Sequence, residues 1–164
     1  MLLYHGTYLE IKKPLVAKGR TNVDFGQGFY LTKYKEQAER WAKVIAIRKG
    51  KQTMPIVNIY SFDDKQFNEQ RFSVKLFNNY DLEWLDYVVH CRRGENICNN
   101  IDVIEGGIAN DNVIDTVEDY ENGRITAQEA LGQLQYKKVN HQICIRNQTI
   151  IDKYISFVKS YKIE

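Results

Sequence analysis

The chain has 164 residues and a formal net charge of +2, from 23 basic and 21 acidic side chains. This length predicts one domain with a sizeable core. A hydrophobic fraction of 43%, with 11 tyrosines and 7 phenylalanines, excludes an intrinsically disordered chain. The balanced charge argues against a nucleic-acid binder with a concentrated basic face.

The sequence also predicts a cytoplasmic protein that makes no contact with membranes. No apolar run approaches the roughly 20 residues that cross a bilayer. The first residues lack the basic segment, apolar stretch and cleavage site of a signal peptide. The three cysteines, Cys91, Cys98 and Cys144, are therefore expected to be reduced thiols.

The first half of the chain predicts short strands around one helix. Its predicted elements are a strand over 2–5 closed by Gly6, a turn-rich stretch over 7–27, a strand over 29–32, a helix over 35–48 and a buried strand over 55–62. The helix has an apolar stripe at helical spacing, formed by Ala38, Trp41, Ala42 and Ile45.

The second half mixes strands and helices without a regular strand–helix–strand repeat. It begins with a half-exposed strand over 71–77, which has Phe72, Val74 and Leu76 on one face. The next predicted elements are a helix over 82–91, a strand over 101–104, a helix over 112–120, a helix after the capping box Thr126–Glu129 and a strand over 141–146. The last is a closing helix capped by Asn147, with Ile151, Tyr154, Ile155 and Val158 inward. The pattern predicts an α+β domain.

Two stretches stand out as candidates for chemistry. In the first, Leu3-Tyr-His-Gly-Thr7, a histidine at the end of a strand lies beside a glycine that allows close approach to the backbone. In the second, Asp24-Phe-Gly-Gln-Gly-Phe-Tyr-Leu-Thr32, a glycine turn leads onto a strand. Alternation sends Phe29 and Tyr30 to opposite faces, so one can enter the core while the other faces a cleft.

These motifs, followed by a helix containing Ala38 and Trp41-Ala42, resemble the diphtheria-toxin-type ADP-ribosyltransferases. The likeness is closest to a bacterial family of uncharacterised, ADP-ribosyltransferase-like proteins. The segments 101–111 and 141–146 look like later parts of that family, so the resemblance covers nearly the whole chain. It implies a split central β-sheet with flanking helices, and NAD⁺ as the substrate.

The resemblance also implies roles for individual residues. His5 would bind the nicotinamide ribose, the backbone of Gly6 would hold the carboxamide, and the ring of Tyr30 would stack on nicotinamide. The other residues expected to bind NAD⁺ are Thr7, Gly28, Phe29, Asn110 and Asp111. The loop over 12–27, which contains Lys18 and Arg20, would cover the cofactor as a mobile lid.

Gln142 occupies the third catalytic position that the resemblance implies, where the commonest residue is glutamate. A carboxylate stabilises a ribosyl cation, whereas an amide only forms hydrogen bonds. Efficient transfer is therefore in question, and Glu105 or Asp111 is a candidate source of the missing charge. Asn110 and Asp111 can equally be turn-forming residues.

Several alternatives stay open at this point. The spacings of the cysteines and histidines match no familiar zinc site, so no metal is predicted. The main alternative to an enzyme is an NAD⁺- or nucleotide-sensing or protein-binding module, and a nuclease or phosphotransferase acting on RNA is a third. The acceptor of a transferase stays open among protein, nucleic acid and a small molecule. By analogy the chain would be a bacterial effector, or a toxin paired with an antitoxin protein.

Overall fold

A computed structural model describes residues 1–50, 52–67, 71–95, 100–110 and 113–164. The strands are β1 (Leu2–Thr7), β2 (Phe29–Leu31), β3 (Ile56–Phe62), β4 (Val74–Leu76), β5 (Val103–Gly107), β6 (His141–Ile145) and β7 (Ile155–Lys162). The helices are α1 (Lys35–Lys49), α2 (Leu82–Arg92), α3 (Ile114–Glu121), α4 (Ala127–Leu134) and α5 (Gln148–Tyr154), with a short 3-10 turn at Val16–Lys18.

The strands form two sheets, which confirms the predicted α+β class. One sheet has the order β1-β3-β7 and is antiparallel throughout. The other has the order β2-β6-β5-β4, in which only β4 and β5 are parallel. A single bridge between Tyr4 and Thr32 joins β1 to β2. The two sheets are therefore linked at one point and separate on either side of it.

Three clusters of apolar side chains hold the layers together. The small residues of α1 pack on one face of the first sheet. The second cluster lies between the sheets, where Leu3 and Tyr60 meet Phe29, Leu31 and the isoleucines of β6 and α5. The third lies between the other face of the second sheet and helices α2, α3 and α4.

The predicted closing helix is wrong beyond Tyr154. Asn147 caps α5 as expected, since its side chain accepts a hydrogen bond from the Thr149 amide at 2.9 Å. The helix ends after seven residues, and Ile155–Lys162 forms β7 instead. Pairing along the whole of β3 overrides the helical spacing of the apolar residues.

Other differences also arise from tertiary packing. β1 continues through Gly6 to Thr7, and β5 starts at Val103 and runs through its two glycines. The buried residues of α1 are Ala38, Ala42 and Ala46, whereas Trp41 is 39% exposed. β4 is an edge strand, which leaves the predicted inner residues Val74 and Leu76 exposed. The capping box of Thr126 and Glu129 is confirmed.

Candidate functional site

The candidate site begins where β1 and β2 separate. Tyr4 and Thr32 exchange two backbone hydrogen bonds, at 2.8 and 2.9 Å. Two residues further on, regular antiparallel pairing would join Gly6 to Tyr30. The Nδ1 atom of His5 instead donates to the Tyr30 carbonyl oxygen at 2.7 Å. The imidazole therefore takes the place of a strand–strand bond at the point where the sheets part.

This exchange leaves the N–H and C=O of the buried Gly6 without a partner on the β2 side. Tyr4 directs its N–H and C=O toward β2, so alternation directs those of Gly6 the same way, and away from β3. Among the described residues, neither the N–H nor the C=O of Gly6 forms a hydrogen bond outside the pairing of β1 with β3. A Cβ at this position would lie 2.0 Å from the Ala38 carbonyl oxygen. Glycine is required here because α1 packs directly on the strand.

The protonation of His5 follows from its surroundings. Burial lowers its pKa, and the hydrogen bond to Tyr30 offsets only part of that shift. The neutral ring carries its proton on Nδ1, because the Tyr30 carbonyl can only accept. Nε2 has no hydrogen-bond partner among the described residues, so it is left to accept a hydrogen bond.

Tyr30 is held in place by two hydrogen bonds of its hydroxyl group. Its hydroxyl donates to the Gly26 carbonyl at 2.5 Å and accepts from the Phe25 amide at 3.2 Å. Burial raises its pKa, so the phenol is a fixed neutral group and not an acid or base. The partly exposed ring packs beside the buried thiol of Cys144, its partner in β6, whose pKa burial raises to about 12.

Gln142 lies on the same face of the second sheet as Tyr30. Tyr30 pairs with Cys144, and Gln142 is two residues from Cys144. Its cross-strand partner in β5 is Gly106, and continuing the β2 register by one step places Thr32 on its other side. The Gln142 amide is partly exposed and has no hydrogen-bond partner among the described residues. The site therefore offers a polar amide beside a position without a side chain.

Glu105, one of the two proposed substitutes for a catalytic carboxylate, does not lie beside Gln142. Glu105 pairs with Ile143, so alternation directs it to the opposite face. There it forms an ion pair with Lys33, with Nζ and Oε1 2.7 Å apart. The expectation that Glu105 supplies the missing charge is therefore wrong. Asp111 lies outside the described residues.

The remaining predicted residues are mostly buried. Gly28 lies between Gly19 and the thiol of Cys144, where a Cβ would be 2.4 Å from Sγ. The Phe29 side chain is 6% exposed and packs on Tyr60 and His5, and Thr7 is 7% exposed. Packing explains these residue types, and only their backbone is placed to meet a ligand. Asn110 follows β5, and its Oδ1 is buried without a hydrogen-bond partner among the described residues.

Asp24 is an organising residue that sequence reasoning treated only as a turn former. Its carboxylate accepts from the Ala109 amide at 2.9 Å and from Arg92 at 3.2 Å. Burial raises its pKa, against the effect of these two partners. Asp24 thus ties the glycine turn before Tyr30 to the segment after β5. Its partners are remote in sequence, so no local pattern indicates the role.

The loop over 12–27 is anchored rather than loose. Gln27 donates to the carbonyls of Ala17 and Gly19, and the Gln148 side chain bonds Val16 and Pro14. These hydrogen bonds hold the loop at both ends, and its ordering over bound NAD⁺ stays a prediction.

A hollow of about 250 Å³ lies beside the start of β6. It separates the first turns of α1 from the segment before that strand, and is lined by Tyr34, Glu36, Gln37, Arg40, Lys138, Val139 and Asn140. The Thr32 hydroxyl donates to the side-chain oxygen of Gln37 at 3.0 Å. This bond connects the hollow to the face of the second sheet on which Gln142 lies. A larger hollow, of about 340 Å³, lies at the other end of β6 and is lined in part by Asp102 and Arg146.

Two further observations concern metal ligands and membrane-spanning helices in the described part of the chain. Within it, no three histidine, cysteine, aspartate or glutamate residues are grouped as metal ligands would be. Nor does any helix in these ranges have the length and apolar character needed to traverse a bilayer.

Comparison with known proteins defines the class to which this two-sheet α+β domain belongs. Residues 1–157 match a family described as "Protein of unknown function (DUF3990)", and the chain belongs to that family. No curated protein and no solved structure matches the chain significantly.

The depressed pKa of His5 predicts how stability depends on pH. Protons bind the unfolded chain before they bind folded His5, so the free energy of unfolding should fall as pH drops below about 6.5. His5→Asn keeps an N–H donor for the Tyr30 carbonyl but does not titrate. Urea unfolding from about pH 7 to 5 should show a smaller fall for this variant. Parallel curves for the two proteins would contradict the depressed pKa.

Proposed function

We propose that this protein is a mono-ADP-ribosyltransferase that cleaves NAD⁺ and transfers ADP-ribose to an acceptor. The observation that carries the proposal is the unpaired backbone N–H and C=O of Gly6 beside the unpartnered Nε2 of His5. The site supplies one backbone donor, one backbone acceptor and one imidazole acceptor around the gap between the sheets. These groups match the nicotinamide half of NAD⁺.

Each group has a complementary partner on the substrate. A carboxamide has one acceptor oxygen and an N–H₂ donor, which pair with the N–H and C=O of Gly6. A ribose hydroxyl donates to Nε2 of His5, which the Tyr30 carbonyl holds in the accepting tautomer. The ring of Tyr30, fixed through its hydroxyl, stacks on the cationic nicotinamide.

Positioning is the main catalytic contribution of these residues. The bond between nicotinamide N1 and ribose C1 breaks, and its electron pair leaves with nicotinamide. Positive character then develops on the ribose and attracts the acceptor nucleophile. Fixed dipoles in a water-poor cleft stabilise that charge without having to reorganise. The site residues are rigidly held by the strands, as such preorganisation requires.

Gln142 has a narrower role than a glutamate would have. Its amide oxygen can accept a hydrogen bond from a ribose hydroxyl, which orients the sugar, but it carries no negative charge. The flanking positions hold Gly106 and Thr32, neither of which ionises. We therefore expect slow turnover, since stabilisation of the cation by a full charge is missing.

The second candidate function is an NAD⁺-binding module without turnover. It is favoured by the lack of a carboxylate next to Gln142 at the positions the structure describes. A protein partner such as an antitoxin is proposed from the sequence resemblance alone. The two candidates differ in whether nicotinamide is released.

Substitutions at Tyr30 test the proposed site. Tyr30→Phe keeps the stacking ring but removes the partner of the Phe25 amide and Gly26 carbonyl, which should cost about 1–3 kcal/mol of stability. Tyr30→Ala also removes the ring, and nicotinamide release should fall roughly a hundredfold.

Release should be followed by chromatography on samples whose folded state is checked by circular dichroism. A folded Tyr30→Ala protein that releases nicotinamide at the wild-type rate would refute the assignment.

Gln142 separates the enzyme from the binding module. Gln142→Ala should lower nicotinamide release strongly with little change in stability, because the side chain is partly exposed and makes no hydrogen bond within the described chain. Gln142→Glu adds a charge where positive character develops, so NAD⁺ hydrolysis should be preserved or increased.

A binding module predicts no release from the wild type and an NAD⁺ affinity, measured by calorimetry, that Gln142→Ala leaves unchanged. If the wild type is active and Gln142→Ala releases nicotinamide at the same rate, Gln142 is not a catalytic residue.

A further inference from the structure

The hollow of about 250 Å³ at the start of β6 is bordered by an exposed surface that combines cations with aromatic rings. We call this surface the aromatic–basic rim. Tyr34, Arg40 and Lys138 line the hollow itself. Trp41 follows Arg40 in α1 and lies under the Arg48 guanidinium, and Tyr136 and Lys137 directly precede Lys138 in the chain. The aromatic members are 55% (Tyr34), 39% (Trp41) and 87% (Tyr136) exposed.

The rim is positively charged despite the balanced composition of the chain. Arg40, Lys137 and Lys138 form no ion pair with any described residue. Glu36 is the one acidic residue among those lining the hollow. Acidic side chains are concentrated instead on α2 and α3, at Glu83, Asp86, Asp115, Glu118, Asp119 and Glu121. The net charge of +2 is therefore unevenly distributed, and the rim is a local basic surface.

We propose that the rim binds single-stranded nucleic acid and that the acceptor of ADP-ribose is a nucleobase. Cations that track phosphates together with aromatic rings that stack on bases are the two features that single-strand binders combine. Bases in a duplex are already stacked, so exposed rings favour an unpaired strand. An acidic protein would use the cations but would leave the three aromatic rings without a specific role.

The position of the rim fits transfer to a base, which rests on the proposed function. Asn140 lines the hollow and lies two residues before Gln142, so a base in the hollow approaches the ribose held at the site. The bond from ribose C1 to nicotinamide N1 breaks and its electron pair leaves with nicotinamide. A ring or exocyclic nitrogen of the base bonds to C1, and its proton passes to water.

Binding is tested without NAD⁺ by fluorescence anisotropy. The probe is a labelled mixed-sequence DNA of about 12 nucleotides, compared with an abasic strand of equal length. Wild type should bind the base-containing strand more tightly, and Tyr136→Ala should reduce that preference. Arg40→Glu with Lys138→Glu should weaken binding at least about tenfold and flatten the salt dependence. Lys65→Glu with Lys153→Glu, an equal charge change on exposed lysines away from the rim, should have little effect.

Transfer is then followed by mass spectrometry of the oligonucleotide after addition of NAD⁺. Tyr136→Ala should release nicotinamide at the wild-type rate without DNA but modify less DNA. Equal affinity for the abasic strand, or equal weakening by the control variant, would overturn the proposal. So would a wild type that cleaves NAD⁺ and modifies a lysate protein but not the oligonucleotide, a result that leaves the proposed function standing.

Discussion

The hydrogen bond from His5 Nδ1 to the Tyr30 carbonyl is the interaction on which the candidate site depends. It occupies the carbonyl that regular pairing of β1 with β2 would give to Gly6. The strands consequently stop pairing after the Tyr4–Thr32 bridge, and the buried backbone of Gly6 has no partner across this break. The same bond fixes the imidazole tautomer, and Nε2 has no hydrogen-bond partner among the described residues. The His5 side chain thus both interrupts the strand pairing and lines the gap that this leaves.

Close packing on both sides of this gap keeps its geometry fixed. α1 touches β1 at Gly6, where any side chain would meet the Ala38 carbonyl. On the other side, Gly28 allows the turn before Tyr30 to approach Cys144, and Asp24 ties that turn to the segment after β5. Both contacts bring backbone against backbone or thiol, so the site lies on rigid elements. Such rigidity suits a reaction in which positioning contributes more than acid–base chemistry.

Much of the scaffold could be predicted because it depends on local patterns. Alternation and glycine turns indicated β2 and β6, helical spacing indicated α1 and α2, and the capping box located α4. The order of the histidine and tyrosine motifs also placed both residues on strands. The structure adds that these strands are neighbours and that His5 contacts Tyr30.

Features set by distant partners could not be predicted from the sequence. β7 looks helical in isolation and becomes a strand because β3 offers a free edge. Trp41 fits the apolar stripe of α1, but contact with Gly6 leaves room only for alanines. Glu105 lies on a strand as expected, yet its register with Ile143 turns it away from Gln142. The aromatic–basic rim combines residues from two separate segments of the chain, so the net charge does not indicate it.

The central claim is that the backbone of Gly6 binds the nicotinamide carboxamide in the gap that His5 opens. Its most direct test is an NMR titration of ¹⁵N-labelled protein with nicotinamide, followed by NAD⁺. The account predicts that the Gly6 amide resonance shifts downfield as it gains an acceptor, together with changes at Tyr30 and in the His5 ring. Saturable binding that leaves the Gly6 amide and the His5 ring unchanged would contradict it.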